Sequence, residues 1–117
     1  SLYDRRPYIV LTEDGITEMF TIRGQIEWEA IRYADDFYFR GQYWVRLLLE
    51  SNYKPQLIRP AWFWRFDRLY ESKGVKAVYL RTMGLEIDSM QLVALIRRMK
   101  EADVPGRIEL LNGCLLK

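Results

Sequence analysis

Asp35 and Asp36 stand side by side in a 117-residue chain that contains no histidine. Adjacent carboxylates are hard oxygen donors that could share a divalent cation, and two solvated acids on the polar side of an element is the simpler account. A second group with chemistry to offer is the run 58–70, where Trp62, Phe63, Trp64, Arg65, Phe66 and Arg68 interleave aromatic and basic side chains. Such mixtures occur in protein hot spots and in single-strand nucleic-acid binders. On a helical wheel Trp62, Phe63 and Phe66 face inward, whereas Trp64 falls on the polar face beside Asp67, Arg68 and Glu71. Trp64, with Arg65 and Arg68, would anchor a protein partner there unless another segment of the same chain covers it. The mixed charge around it argues against nucleic acid. The third candidate is Asp88-Ser89, at the start of an amphipathic run. Free backbone N–H groups at a helix start favour an anion, so a phosphate on Ser89 would be well placed, although simple capping by Asp88 explains the same residues.

Composition narrows the chemistry further. Eighteen basic residues against sixteen acidic give a net charge of +2, too balanced to mark a polyanion as partner. Thirteen of the basic residues are Arg, which suits planar contacts at protein interfaces but also follows from base composition. Without histidine, Ser-His, Cys-His and His-ligated zinc chemistry cannot be assembled within the chain, and no cofactor is expected. The single Cys114 excludes a disulfide framework and fits a reducing, cytoplasmic compartment; it reads equally as an inert core thiol or a reactive one. No apolar run reaches the length of a membrane span, and the start is not a signal peptide. The first residue is Ser rather than Met, which suggests a piece of a longer protein.

These candidates need elements to position them. Residues 8–12 and 16–22 are β-rich runs around Asp14-Gly15 and predict an antiparallel hairpin. From Ile26 the residues Ile26, Ala30, Tyr33, Ala34 and Phe37 recur at helical spacing, which predicts a helix over 26–38 with Glu29, Arg32 and Asp36 opposite. Residues 43–50 read as helix or strand, with helix preferred because Trp44 and Leu48 continue the same face. Residues 52–60 form a connection, and a helix is expected from Pro60 to a cap at Gly74. Val75 to Arg81 predicts a strand. The last helix starts at Asp88 or Ser89 in a capping box with Gln91, buries Leu92, Leu95, Ile96 and Met99, and ends at Pro105-Gly106. A short strand over 108–111 would then return parallel to the first. The expected fold is a single α/β domain over residues 1–117, with an N-terminal β-hairpin, a C-terminal parallel βαβ unit in a mixed sheet, and about three helices.

Some of these strings resemble known families. Arg32-Tyr33-Ala34-Asp35-Asp36-Phe37 is similar to the Tyr-x-Asp-Asp box of reverse transcriptases, which implies metal-holding carboxylates at Asp35 and Asp36. Arg23-Gly24-Gln25-Ile26 running into a helix, together with Ile87-Asp88-Ser89 opening a later one, resembles the STAS domains of anti-sigma-factor antagonists. That resemblance implies structural roles for Gly24 and Ile26, a flanking Asp88, and phosphorylation of Ser89 by a partner kinase to switch binding. A rival resemblance, to the Clp protease and crotonase group, rests on the same Gly-x-Ile, on the loop Met83-Gly84-Leu85 and on a strand at Ile108-Glu109-Leu110-Leu111-Asn112-Gly113. Here the pattern's second glycine is Leu85.

The expectation is therefore a non-enzymatic interaction or regulatory module that binds a protein partner or itself. The alternatives are a domain of a larger enzyme, Clp/crotonase-like or nucleic-acid-processing, and an oligomerisation scaffold, for which the aromatic excess speaks.

Overall fold

The structure, a computed structural model, describes residues 9–18, 24–53, 70, 72–82 and 87–113. Its strands form two antiparallel three-stranded sheets. The first joins β1 (Ile9–Leu11), β2 (Gly15–Glu18) and β3 (Ile26–Glu27), and the second joins β4 (Ile31–Phe39), β5 (Gln42–Glu50) and β6 (Val75–Arg81). A 3-10 turn, Trp28–Ala30, links the sheets. Helix α1 (Ser89–Glu101) packs across β4 and β5, and α2 (Val104–Gly113) follows after a two-residue break.

The β1–β2 hairpin forms as Asp14-Gly15 predicts, and glycine is required for a second reason. A Cβ at Gly15 would collide with the Ile26 carbonyl of β3. The strand Val75–Arg81 and the capping box of α1 are also as expected: Asp88 Oδ1 accepts from Gln91 N at 2.7 Å, and Asp88 N donates to Gln91 Oε1 at 3.2 Å.

The mixed sheet is overturned. β6 pairs antiparallel with β5, and residues 108–111 lie within α2, so among the described residues no strand returns parallel and there is no βαβ unit. The same finding removes the strand on which the Clp/crotonase resemblance drew. Pro105-Gly106, read as the end of one helix, lies in the first turn of the next. Asp103 caps that turn by accepting from Gly106 N at 2.9 Å, and proline is tolerated there because its missing N–H has no helical acceptor. Two α-helices stand among the described residues rather than three; the helix expected over 60–73 lies outside them, apart from Tyr70, Ser72 and Lys73.

The helix expected over 26–38 is instead the end of β3, the 3-10 turn and most of β4, and residues 43–50 are strand. The register of β4 against β5 slips between Ile31 and Tyr33. That bulge inserts one residue and puts Ile31 and Ala34, three apart, on the same buried side. A strand thus acquires the spacing of a helix. Beyond the bulge the period is two: Asp35, Phe37 and Phe39 are half-buried while Asp36 and Tyr38 are exposed. The hairpin turns at Arg40 (φ 52°) and Gly41 (φ 81°), the left-handed pair that a two-residue turn needs to match strand twist.

One continuous core joins the two sheets to α1. It holds Ile16, Ile26, Trp28, Ile31, Val45, Leu47, Leu49, Val78, Leu80, Leu92, Ile96 and Met99, all buried. The opposite side of the second sheet carries its own cluster, in which Trp44, Ala77 and Tyr79 are buried with Phe37, Phe39, Leu48 and Tyr70 around them.

Candidate functional site

β4 places its two acids apart. Successive strand residues point to opposite faces, so Asp35 turns to the aromatic side of the sheet and Asp36 to the α1 side. They do not converge on one cation, and among the described residues no group of three or more acidic or cysteine side chains is arranged to hold a metal. Asp35 is instead committed to its cross-strand neighbour. Arg46 Nε donates to Asp35 Oδ1 at 2.8 Å, Arg46 Nη2 to Asp35 Oδ2, and Arg46 Nη1 to the Tyr70 hydroxyl at 2.7 Å. The guanidinium also lies over the Phe37 ring at 5.1 Å. The bidentate hydrogen bond that Arg46 donates to Asp35 raises the Arg46 pKa against the opposing effect of burial. The arrangement is an ion pair committed within the chain, with both Asp35 oxygens taken up by Arg46.

The start of α1 is similarly closed. Asp88 and Gln91 cap each other's backbone N–H, and Ser89 is 7% exposed. The geometry is that of a cap. Trp64, Arg65 and Arg68 lie outside the described residues, as do the loop 83–86 and Cys114.

What the second sheet does offer lies at the end where the β4–β5 hairpin turns. Tyr38 and Tyr43 oppose each other across the strands with ring centroids 4.9 Å apart, and they are 61% and 52% exposed. Arg40, at the turn, sits over the Phe39 ring at 5.3 Å. The backbone is fastened beneath them: Thr82 Oγ1 donates to the Tyr43 carbonyl at 2.8 Å. Helix α1 starts at this end, because β6 reaches it at Arg81, opposite Trp44, and the helix then runs back along β4. Met90, in the first turn of α1, is 71% exposed and adds a third large apolar side chain to the same end. Composition alone did not single these residues out. The signal was present in the near-symmetrical string Phe37-Tyr38-Phe39-Arg40-Gly41-Gln42-Tyr43-Trp44, aromatics mirrored about a turn dipeptide.

The other end of the sheet is tied down by side chains. Lys100 Nζ donates to the Arg32 carbonyl at 3.3 Å and Arg97 Nε to the Ala34 carbonyl at 2.9 Å, while Arg97 lies 5.5 Å from the Tyr33 ring centroid. These contacts border a shallow cleft of about 230 Å³ lined by Arg32, Tyr33, Ala34, Ile96, Arg97 and Lys100, with Glu101 at its side. Arg32 in turn faces Glu50 at 3.5 Å. The cations of the cleft thus have intramolecular work.

Deeper at that end, Arg107 is buried and makes three contacts. Its Nε donates to the Met99 carbonyl at 2.8 Å, and its Nη1 to the Glu13 carbonyl at 3.3 Å and to Glu29 Oε1 at 2.8 Å. One guanidinium joins α2, the end of α1, the first hairpin turn and the 3-10 turn. The fully buried Trp28 adds an Nε1 bond to the Thr12 carbonyl at 2.8 Å, and the Tyr53 hydroxyl donates to the Gln25 carbonyl at 2.9 Å. Burial raises the Tyr53 pKa.

Comparison with known protein families, with curated proteins and with solved structures finds no match for this chain. No helix among the described residues is long and apolar enough to cross a membrane.

Proposed function

We propose that this chain is a non-enzymatic protein-interaction module that engages its partner through the hairpin-tip end of the second sheet. The observation that carries the reading is the exposure of Tyr38, Tyr43 and Met90 at one end of a domain whose core is otherwise filled. Tyr brings large contact area at low entropic cost, Met an adaptable apolar side chain, and Arg40 adds a planar donor beside them. Tyr38 and Tyr43 belong to the longest hairpin among the described residues.

The regulatory form of this reading follows the STAS-like resemblance. Ser89 begins α1 at this end, so a phosphate there would place charge beside the interaction surface. Because Ser89 is 7% exposed, the first turn of α1 has to open before a kinase can reach it. A partner surface at Trp64, Arg65 and Arg68 and a cytoplasmic setting, consistent with a single Cys, belong to the same proposal.

A benzophenone amino acid placed at Tyr43, compared with one at the exposed Lys73 near the opposite end, tests the reading in cells. Ultraviolet adducts to a protein from position 43 and none from 73 are expected, with the yield altered by Ser89→Glu. Equal adducts from both positions, or none from either, would remove the hairpin tip as the interaction surface.

A further inference from the structure

Tyr38 and Tyr43 are placed to react with each other. They lie next to Phe39 and Gln42, the pair that closes the two-residue turn, and so form a non-hydrogen-bonded cross-strand pair, the kind whose side chains stand closest. Both side chains leave the same face of the sheet, so their hydroxyl ends project in one direction. The ring centroids are 4.9 Å apart with the planes tilted by 60°, a separation at which the ring edges touch. Both rings are more than half exposed, and among the described residues neither hydroxyl has a hydrogen-bond partner. The other described tyrosines lack this combination. Tyr79 is buried, the Tyr70 hydroxyl accepts from Arg46, the Tyr53 hydroxyl donates to the Gln25 carbonyl, and Tyr33 lies under the Arg97 guanidinium.

We propose that Tyr38 and Tyr43 are a site of oxidative coupling, joined ring to ring as dityrosine by a peroxidase-type one-electron oxidant working with hydrogen peroxide. The oxidant takes one electron from each phenol, and each hydroxyl loses its proton, giving two phenoxyl radicals. A carbon–carbon bond then forms between a ring carbon ortho to one oxygen and its counterpart on the other ring. Each of those carbons releases its hydrogen as a proton and each oxygen takes one up, which restores both phenols. The chain loses two hydrogen atoms in all, and one peroxide is reduced to two waters. Contact favours this product over coupling between molecules, because groups held side by side react as though at concentrations far above those of any protein solution. The short loop that the new bond closes is already held by the turn, so the bond adds little to fold stability. What it changes is the surface: two rings that move independently become one fixed plate. The reaction needs only these two rings and stands whether or not the tip binds a partner.

The full chain at low micromolar concentration, treated with hydrogen peroxide and a haem peroxidase, tests this; free tyrosine coupled in a parallel sample verifies that the oxidant is active. The monomer is isolated by size exclusion and digested with trypsin. Arg40 lies between the two tyrosines, with Arg32 and Arg46 outside them, so cleavage puts Tyr38 in peptide 33–40 and Tyr43 in peptide 41–46. The expected product is these two peptides joined, lighter by two hydrogen atoms than their sum and carrying the blue fluorescence of dityrosine. Its yield per chain should not change when the protein is diluted about tenfold, as a reaction within one molecule requires. Tyr38→Phe and Tyr43→Phe, which keep the rings and remove the phenols, are each expected to abolish the joined peptide, and Tyr33→Phe to leave it. Circular dichroism verifies that each variant stays folded. A wild-type monomer without the joined peptide, a joined peptide that survives Tyr38→Phe or Tyr43→Phe, or a yield that falls on dilution would each overturn the proposal.

Discussion

The two ends of the second sheet are built from similar residue types and put them to opposite uses. At the end where β4 begins, Arg97, Lys100 and Arg107 spend their donors on backbone carbonyls of Ala34, Arg32, Met99 and Glu13. At the hairpin tip, Arg40 makes no such bond among the described residues, and Tyr38 and Tyr43 face solvent. The difference teaches how to separate stability from recognition within a single chain. Side chains that satisfy the chain's own backbone are structural, and those that leave it unsatisfied or strained point outward to a partner.

The sharpest way to break this comparison is at Arg107. Arg107→Ala withdraws the donors to the Met99 and Glu13 carbonyls at once and leaves a void where the guanidinium was. A loss of about 2–4 kcal/mol in urea unfolding is expected. Tyr43→Ser, at the tip, is expected to cost about 0.5 kcal/mol or less, since its ring is half exposed. Comparable losses from the two would show that the tip is part of the folding unit and not a surface set aside for binding.

The ion pair between the two ends comes next in magnitude. Asp35 and Arg46 are each about one-fifth exposed, so removing one charge strands the other among Phe37, Tyr70 and Tyr79. Asp35→Ala is expected to destabilise by about 2 kcal/mol, and Asp35→Leu/Arg46→Met to recover most of that. A double variant less stable than the single would mean that the pair contributes net stability beyond the avoidance of a lone charge.

How much of this was legible in the sequence follows the same division. Asp14-Gly15 gave away the first hairpin, and Asp88 with Gln91 the start of α1, because turn and cap chemistry is local. The β4–β5 hairpin was hidden by two non-local effects. The bulge near Ile31 imitated helical spacing, and the turn carries Arg where Asn would have announced it. Of the candidate residues, Asp35 and Asp36 were visible as a pair, but their separation onto two faces depends on strand rather than helix geometry. Ser89 was correctly placed at a helix start, whereas its burial under tertiary contacts could not be read from neighbours in sequence. Arg107 had no signal at all, since its carbonyl partners lie up to 94 residues away.

A smaller effect sharpens the reading of the tip. Arg40→Asn relieves the left-handed backbone strain and is expected to stabilise the monomer by about 0.5 kcal/mol, read as a rise in the urea midpoint. The same change removes the guanidinium beside the Phe39 ring at the tip, so stability and partner capture should move in opposite directions. A variant that gained both would show that Arg40 carries no recognition role.

The smallest expected effect is the pH response of the tied-down end, and its sign is fixed by Glu29. Its pKa is lowered from an ordinary value of 4.5, first by a hydrogen bond from its own backbone N–H and then by Arg107, while burial opposes both. A carboxylate with a lowered folded pKa contributes stability that is present above the unfolded value and lost as pH falls through the folded one. Between pH 7 and pH 5 the contribution is therefore constant, and below about 4.5 it declines. Because the Glu29 side chain is 69% exposed, solvent screens the interaction and the slope is shallow. Glu29→Gln is expected to flatten the decline below pH 4.5 without changing stability above pH 6 by more than about 1 kcal/mol. If wild type and Glu29→Gln fell in parallel as the solution is acidified, the Arg107 clamp would be held by its backbone carbonyls alone, and Glu29 would be a spectator at the edge of it.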